Sequence, residues 1–353
     1  MRWLIDARPL ADPVPGGVSR VSRGLIQGLL TQNARQSRHE LGLISTGLRT
    51  PKLELTHSGP PASHMHLSIP NKLWSLGCMC HCWNVSAAAI DKNPPPDGIF
   101  LPNLGFIGQL PIPSILLLHD LSFLIEPRWF KMKARLWHRA IQATRLIRQA
   151  TFIFAVSEQT RQDTIRLLDV SADRIAVLNL PAPEIFPYSI PSRPPGEPPY
   201  VLALGGDDPR KNADLVPLVV SKLNDLLPSN RRLAVKIVGS RRKPRPTDQE
   251  LAALYAHAAA FLYPSWYEGF GLPLHEAFRY GVPCIASSRG ALPETAPPGT
   301  VFADPAKPHH WVEALLDAME QRLPPTSAVS PRTDLSWSNC ADDILKKMQE
   351  LSS

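Results

Sequence analysis

The stretch Pro264-Ser265-Trp266-Tyr267-Glu268-Gly269-Phe270-Gly271-Leu272-Pro273-Leu274-His275-Glu276-Ala277 is the densest chemistry in this 353-residue chain. Pro273 suits the first turn of a helix and Gly281 its C-terminal stop, so the glycines lie in the loop that feeds the helix N-terminus. Such a loop turns backbone amides and the positive end of the helix dipole toward an anion. Glu268 precedes the helix and Glu276 sits inside it, so the two carboxylates can address different parts of one ligand. Carboxylates accept hydrogen bonds from sugar hydroxyls.

Three smaller groups carry further chemistry. Arg210 and Lys211, in Pro209-Arg210-Lys211-Asn212, read alone as either an exposed basic turn or an anion contact. His119 follows the apolar run Ser114 to Leu118, at the carboxyl end where open α/β sheets place ligands, although a structural histidine fits there equally. Gly16 and Gly17 can bring backbone amides close to a phosphate because they lack side chains, or they can simply make a turn.

These residues need a scaffold, and the apolar pattern supplies one. Short apolar runs alternate with helix-period segments, which is the pattern of parallel sheets joined by crossover helices. Trp3-Leu4-Ile5 leads through Gly16-Gly17 into a helical segment with Val18, Val21, Leu25, Ile26 and Leu29 on one face. Ser114 to Leu118 and Phe152 to Val156 read as interior strands. Between Pro181 and Pro199 eight of nineteen residues are proline, too many for helix or central strand, so an extended linker is expected. A second α/β series begins at Tyr200. The expected organisation is an N-terminal Rossmann-like domain over 1–180, a Pro-rich linker over 181–199, a second Rossmann-like domain over 200–335, and a last helix over 336–353 that packs back on the first domain. From Arg128 to Arg148 an unbroken helix would gather Arg128, Lys131, Arg135, His138, Arg139 and Arg145 on one face, opposite Phe130, Trp137, Ile141 and Ile147. The apolar face is expected to pack on the sheet, leaving the basic face to solvent or to anionic lipid.

Composition narrows the function classes. A hydrophobic fraction of 44% and a charged fraction of 20% are those of a globular protein, and no apolar run is long enough to span a bilayer. The first residues read as a strand rather than a secretory signal, so a cytoplasmic location, with peripheral contact to the membrane, is expected. Five cysteines, an odd number unevenly spread, do not make a disulfide framework. Cys78, Cys80, His81 and Cys82 crowd together, but no second ligand pair exists to complete a zinc site. The net charge of +7 suits any anionic partner, and no nucleic-acid-reading module accompanies it.

Together these motifs resemble the retaining glycosyltransferases of family 4, whose architecture is GT-B: two Rossmann-like domains facing each other across a cleft. The resemblance rests on Glu268 to Ala277 with its Glu-x7-Glu spacing, on Gly281-Val282-Pro283-Cys284-Ile285-Ala286-Ser287, and on Leu292-Pro293-Glu294. It extends to His119-Asp120-Leu121-Ser122, Val156-Ser157, Pro209 to Asn212 and Ser336-Trp337-Ser338. It implies that Glu268 lies by the transferred sugar, that Glu276 binds the donor ribose, and that the amides of Gly269, Phe270, Gly271 and Leu272 hold the diphosphate with Gly16 and Gly17. Lys211 would meet the leaving diphosphate, and His119 would approach the donor sugar. No cofactor or metal is implied beyond the nucleotide-diphosphate sugar itself. Family variants with these strings act in bacterial surface polysaccharide assembly, which makes mannose from GDP-mannose, delivered to a glycan or lipid-linked acceptor, the first donor to test. A binding protein without catalysis and a nucleotide-sugar epimerase are alternatives on the same architecture.

The sequence departs from that pattern twice. A strand that usually precedes the helix leading to Pro264 is missing after Gly239, which removes the basis for transferring a base preference. Gly205-Gly206 stands where several relatives have an arginine. Arg210 is then the nearest second cation for the diphosphate, with Arg8 and Arg20 as alternatives near the Gly16-Gly17 loop.

Overall fold

The computed structural model describes residues 1–11, 16–36, 39–53, 55, 62–80, 82–83, 95–181, 192–239, 246–320 and 335–352. The chain divides into two compact units, one formed by 1–183 together with 334–353, the other by 184–333. Residues 182–191 of the expected linker lie outside the described residues.

Unit 1 is a seven-stranded sheet in the order β3-β2-β1-β4-β5-β6-β7, every pairing parallel. Its elements run β1 Arg2–Asp6, α1 Gly17–Gln36, β2 Glu40–Thr46, β3 Ser63–Leu67, α2 Asn71–Met79, β4 Gly98–Leu101, β5 Ser114–Leu118, α3 Ser122–Ile125, α4 Met132–Ala140, α5 Ala143–Gln149, β6 Phe152–Ala155, α6 Glu158–Leu168 and β7 Ile175–Val177. Strands β4, β5 and β6 are buried along their whole length, because helices cover both faces of a parallel sheet. That burial explains why their sequences are continuous apolar runs rather than alternating ones.

Unit 2 is a five-stranded parallel sheet in the order β12-β11-β10-β8-β9. It comprises β8 Tyr200–Leu204, α7 Leu215–Leu226, β9 Ala234–Val238, α8 Asp248–Ala256, β10 Ala260–Tyr263, α9 Leu272–Arg279, β11 Cys284–Ser287, α10 Leu292–Thr295, β12 Val301–Ala303 and α11 Pro308–Met319. Among the described residues, α8 is the only regular element between β9 and β10. It starts on a capping box: Glu250 N–H donates to Thr247 Oγ1 at 3.2 Å, and Thr247 N–H donates to Glu250 Oε2 at 2.7 Å. Gly281, with φ of +68°, follows α9 in the left-handed conformation that stops a helix.

The segment 128–148 is not one helix. Arg128 lies in a short 3₁₀ turn, α4 ends at Ala140, and Gln142 takes a left-handed φ of +52° before α5 starts. The break resets the helical phase, so residues on one ideal face diverge. Ile141 and Ile147 are buried, but Trp137 is 40% exposed, with Met132 at 66% and Leu136 at 55%. His138 stacks on Phe123 at 4.5 Å instead of joining a basic face, and Arg135 Nε donates to the Phe130 carbonyl at 2.8 Å.

The last helix, α12 Trp337–Leu351, belongs to unit 1 and lies along α1. Gln32 Nε2 donates to Asp342 Oδ2 at 2.9 Å, Cys340 Sγ to the Asn179 carbonyl at 3.2 Å, and Trp3 Nε1 to Ser352 Oγ at 3.0 Å. Two glycines of α1 make this approach possible. A methyl group at Gly24 would stand 2.4 Å from the Trp337 ring, and one at Gly28 would stand 2.6 Å from the Trp337 carbonyl oxygen. The second obstacle is backbone and cannot swing aside. Gly28→Ala should therefore destabilise the protein by about 1–3 kcal/mol despite the better helix propensity of alanine. Thermal unfolding measures it, and an unchanged or raised melting temperature would refute the close contact.

Candidate active site

Open parallel sheets bind ligands where the chain order reverses, outside the carboxyl ends of the strands. In unit 2 the chain passes from β8 outward to β9 and then returns to β10 on the other side of β8. Lys211 comes from the turn after β8 and Glu268 from the loop after β10, so the reversal brings them together.

Lys211 Nζ lies 2.6 Å from Glu268 Oε1 and donates to the Tyr263 hydroxyl at 2.7 Å. Both charged side chains are largely buried, 16% exposed for Lys211 and 9% for Glu268. Burial alone would push the Glu268 carboxyl up, but Lys211 and then Arg210 outweigh it and hold it below the ordinary carboxylate range. Glu268 is thus a carboxylate at neutral pH. Tyr263 is fully buried; burial, then the Glu268 charge, push its phenol well above the usual value. Its hydroxyl stays protonated and uncharged.

The backbone sets this geometry. Asp208 caps the 3₁₀ turn Pro209–Lys211 by accepting from Arg210 N–H at 3.0 Å, and its carboxylate lies 3.4 Å from the Arg210 guanidinium. Trp266 N–H donates to the Arg210 carbonyl at 2.8 Å, which ties the turn to the loop carrying Glu268. Gly205 has φ of +97°, and a side chain there would meet the Lys211 stem at 2.3 Å. The absence of a side chain at Gly205 therefore leaves the space in which the lysine stem lies.

Gly269, Phe270, Gly271 and Leu272 lead into α9. Gly271 holds a left-handed φ of +97° at the helix start, and no side chain caps that end. A side chain at Gly271 would meet Leu292 at 2.5 Å, and one at Gly290 would meet the Glu268 amide nitrogen at 2.9 Å, so α10 and the turn before it clamp the loop from behind. Ala291 N–H donates to the Glu268 carbonyl at 3.0 Å, and Phe270 stacks on His275 at 5.1 Å. Within α9, Glu276 is 6% exposed and its Oε2 accepts from the Tyr255 hydroxyl at 2.9 Å.

Unit 1 holds the other expected residues. His119 follows β5, and Gly16 and Gly17 lie at the start of α1, which follows β1. In a parallel sheet these carboxyl ends share one edge. His119 Nε2 lies 2.9 Å from the Pro102 carbonyl, which can only accept, so that nitrogen carries the proton. Burial lowers its pKa, and the imidazole is neutral at pH 7. Arg8 is not a spare cation for a diphosphate: Nε and Nη2 grip Asp6 at 2.8 and 2.7 Å, and Nη1 donates to the Phe106 carbonyl at 2.6 Å.

Tyr263 and Tyr255 were not legible as site residues. Each sits among apolar neighbours in a strand or helix, where its ring reads as core and the sequence gives no signal for the hydroxyl. All five thiols are free, with Cys80 and Cys82 exposed, while His81 lies outside the described residues. Among the described residues no three His, Cys, Asp or Glu gather as a metal cluster.

Residues 244–331 match the family model of glycosyl transferases group 1. The chain is 29% identical over 262 residues to the O-antigen chain mannosyltransferase B of Escherichia coli, covering 64% of this chain and 68% of that one. It is 26% identical over 237 residues to the serotype-specific mannosyltransferase WbdA of the same organism, covering 55% of this chain but 28% of that longer one. Among solved structures it is similar to sucrose-phosphate synthase from Thermosynechococcus elongatus, with a TM-score of 0.66, 16% identity, and 99% of each chain covered. It is also similar to HepE of Anabaena in complex with UDP and glucose, with a TM-score of 0.59, 16% identity, and coverage of 100% of this chain and 98% of that one. The two units have the GT-B fold, and the stretch 244–331 of the second unit is similar to the group 1 glycosyl transferases.

The Lys211–Glu268 pair makes a pH-dependent prediction. Lys211→Met leaves a buried carboxylate without its ammonium, which should lower stability by about 3 kcal/mol at neutral pH. A carboxyl held low in the folded state contributes stability above its unfolded pKa and loses it as pH falls through the folded value. The gap between wild type and variant should therefore be full near pH 7 and narrow below about pH 4. Urea unfolding at both pH values checks it; a gap independent of pH would reject the pair as a stabilising contact.

Proposed function

We propose that the protein is a retaining glycosyltransferase that moves mannose from GDP-mannose to a glycan or lipid-linked acceptor in surface polysaccharide assembly. The observation that carries this reading is the Lys211–Glu268–Tyr263 cluster beside an uncapped helix start, all at the chain reversal of unit 2. The mannose assignment is supported by what the curated relatives transfer.

In this reading the diphosphate lies against Lys211, Arg210 and the amides of Gly269 to Leu272. The acceptor hydroxyl oxygen bonds to the anomeric carbon on the face from which the phosphate oxygen departs. That departing oxygen takes the hydroxyl proton, and the products are a glycoside of unchanged anomeric configuration and a nucleoside diphosphate. Lys211 stabilises the negative charge that grows on the leaving oxygen. Glu268 faces the sugar and Glu276 the ribose, while neutral His119, whose Nε2–H is donated to the Pro102 carbonyl, can accept from a sugar hydroxyl at Nδ1 without adding positive charge.

Diphosphate charge is met by fixed cations and amides, so the reaction is expected to proceed without a metal ion. A thermal-shift screen of UDP-, GDP-, ADP- and CMP-sugars tests the donor: a true ligand at a hundredfold excess over Kd should add about 2.7 kcal/mol of apparent stability. Glu276→Ala should then raise the donor KM about 10-fold with little change in kcat, whereas Glu268→Ala should lower kcat about 100-fold. Equal effects of both changes on donor affinity alone would end this division of roles.

The reading includes contact with an anionic membrane surface from the cytoplasmic side. No helix among the described residues is long and apolar enough to cross a membrane. Instead α4 turns Met132, Leu136 and Trp137 outward, flanked by exposed Lys131, Lys133 and Arg139. A helix with a lipophilic ridge and a basic rim suits an anionic bilayer. Flotation with phosphatidylglycerol vesicles should show salt-sensitive binding that Lys131→Glu with Arg139→Glu weakens about 10-fold and Trp137→Glu abolishes. Binding unchanged by these substitutions would refute the surface.

A further inference from the structure

Glu276 is a buried carboxylate, and a carboxylate discriminates between ribose hydroxyls best when its plane is held in one orientation. Oε2 accepts from the Tyr255 hydroxyl at 2.9 Å. Tyr255 is itself wholly buried in α8, stacked on Tyr280 at 6.1 Å with rings 7° apart and meeting the edge of Phe261 at 5.4 Å. The ring has little freedom to move, so its hydroxyl is a fixed donor aimed at one carboxylate oxygen. Burial, then the Glu276 charge, raise the phenol pKa well above the ordinary value, so the donor keeps its proton at any pH at which the protein works.

The contact crosses elements. Tyr255 lies near the end of α8 and Glu276 in the middle of α9, so the bond fixes the carboxylate from outside its own helix. A buried hydroxyl could instead have been replaced by phenylalanine with no loss of packing. Retaining it places a polar group in an apolar core, where it is stable only because the carboxylate accepts its hydrogen bond. The ring supplies packing, and the hydroxyl supplies orientation.

We propose that Tyr255 is the positioning residue for ribose recognition: its hydroxyl orients Glu276 and thereby makes the site discriminate between ribose and deoxyribose donors. The inference rests on the assignment of Glu276 to the donor ribose. It adds that the discrimination depends on a hydroxyl that never touches the ligand.

The experiment compares wild type, Tyr255→Phe, Glu276→Ala and Tyr263→Phe. Each is titrated with GDP, 2′-deoxy-GDP and 3′-deoxy-GDP, or with the corresponding set for whichever nucleoside diphosphate the donor screen selects. In the wild type, one of the two missing hydroxyls should weaken binding about 10-fold, the scale of a hydrogen bond to a charged group. Tyr255→Phe should reduce that ratio to about 2-fold while weakening GDP itself and leaving kcat at saturating donor unchanged. Tyr263→Phe removes a hydroxyl of equal size from the same core but beside Lys211, and it should keep the wild-type ratio. Tyr255→Phe with the wild-type ratio, or with equal losses for all three nucleotides, would overturn the proposal, since either result describes a residue that only packs. If Glu276→Ala also keeps the wild-type ratio, the ribose assignment of Glu276 is wrong and the inference fails with it. If Glu276→Ala removes the ratio and Tyr255→Phe does not, the assignment stands and the positioning role alone fails.

Discussion

A lysine ammonium and a glutamate carboxylate held 2.6 Å apart, both mostly out of water, set the terms for the C-terminal unit. Removing two ions from water is expensive, and their attraction offsets that only with good geometry and further hydrogen bonds. Here those conditions are met by the Tyr263 hydroxyl and the nearby Arg210 charge, and by a glycine at position 205 that leaves room for the lysine stem. The capped turn after β8 fixes one partner, and the loop clamped by Gly290 and Ala291 fixes the other. Such a cluster gains little stability over well-packed apolar residues of the same volume, although removing one partner alone is costly. Its value lies in holding a positive charge and a carboxylate ready at the edge of a sheet.

Both sheets place their chemistry by the same rule. Parallel strands send all their carboxyl ends to one edge, and the point at which the strand order reverses leaves a gap between neighbouring loops. In unit 2 the reversal falls between β8 and β10 and hosts Lys211 and Glu268. In unit 1 it falls between β1 and β4. There Gly16 and Gly17 follow β1, and the Pro102 carbonyl after β4 accepts a hydrogen bond from His119 Nε2. One topological device thus positions residues far apart in sequence without long loops.

Unit 1 also depends on a segment from the far end of the chain. α12 completes its surface by lying on α1, and the approach is close enough that two turns of α1 carry glycine where Trp337 passes. The segment after β5 shows the opposite behaviour. Its short helices keep Ile141 and Ile147 in the core, while the turn at Gln142 rotates α4 so that Met132, Leu136 and Trp137 face outward. An isolated periodicity argument cannot anticipate this, because a single left-handed residue resets the phase of everything beyond it.

The sequence by itself determined the class of fold and singled out most of the residues that line the candidate site. Apolar runs flanked by turn residues mark buried parallel strands, and Pro273 and Gly281 bound a helix whose start must face the loop with Glu268. These are local signals, so they survive in a one-dimensional reading. Lys211 and Glu268 could be singled out by motif, but their meeting could not, since it depends on β8 and β10 becoming neighbours. Tyr255 and Tyr263 escaped altogether, because an aromatic residue in an apolar run reads as core and only its three-dimensional neighbours reveal that the hydroxyl is used. Gly205 read as a departure from the pattern of relatives, and only the packed structure showed that it makes room for Lys211. Tertiary structure decided these points because hydrogen bonds and close approaches are set by distances between chain-remote atoms, which composition and periodicity do not encode.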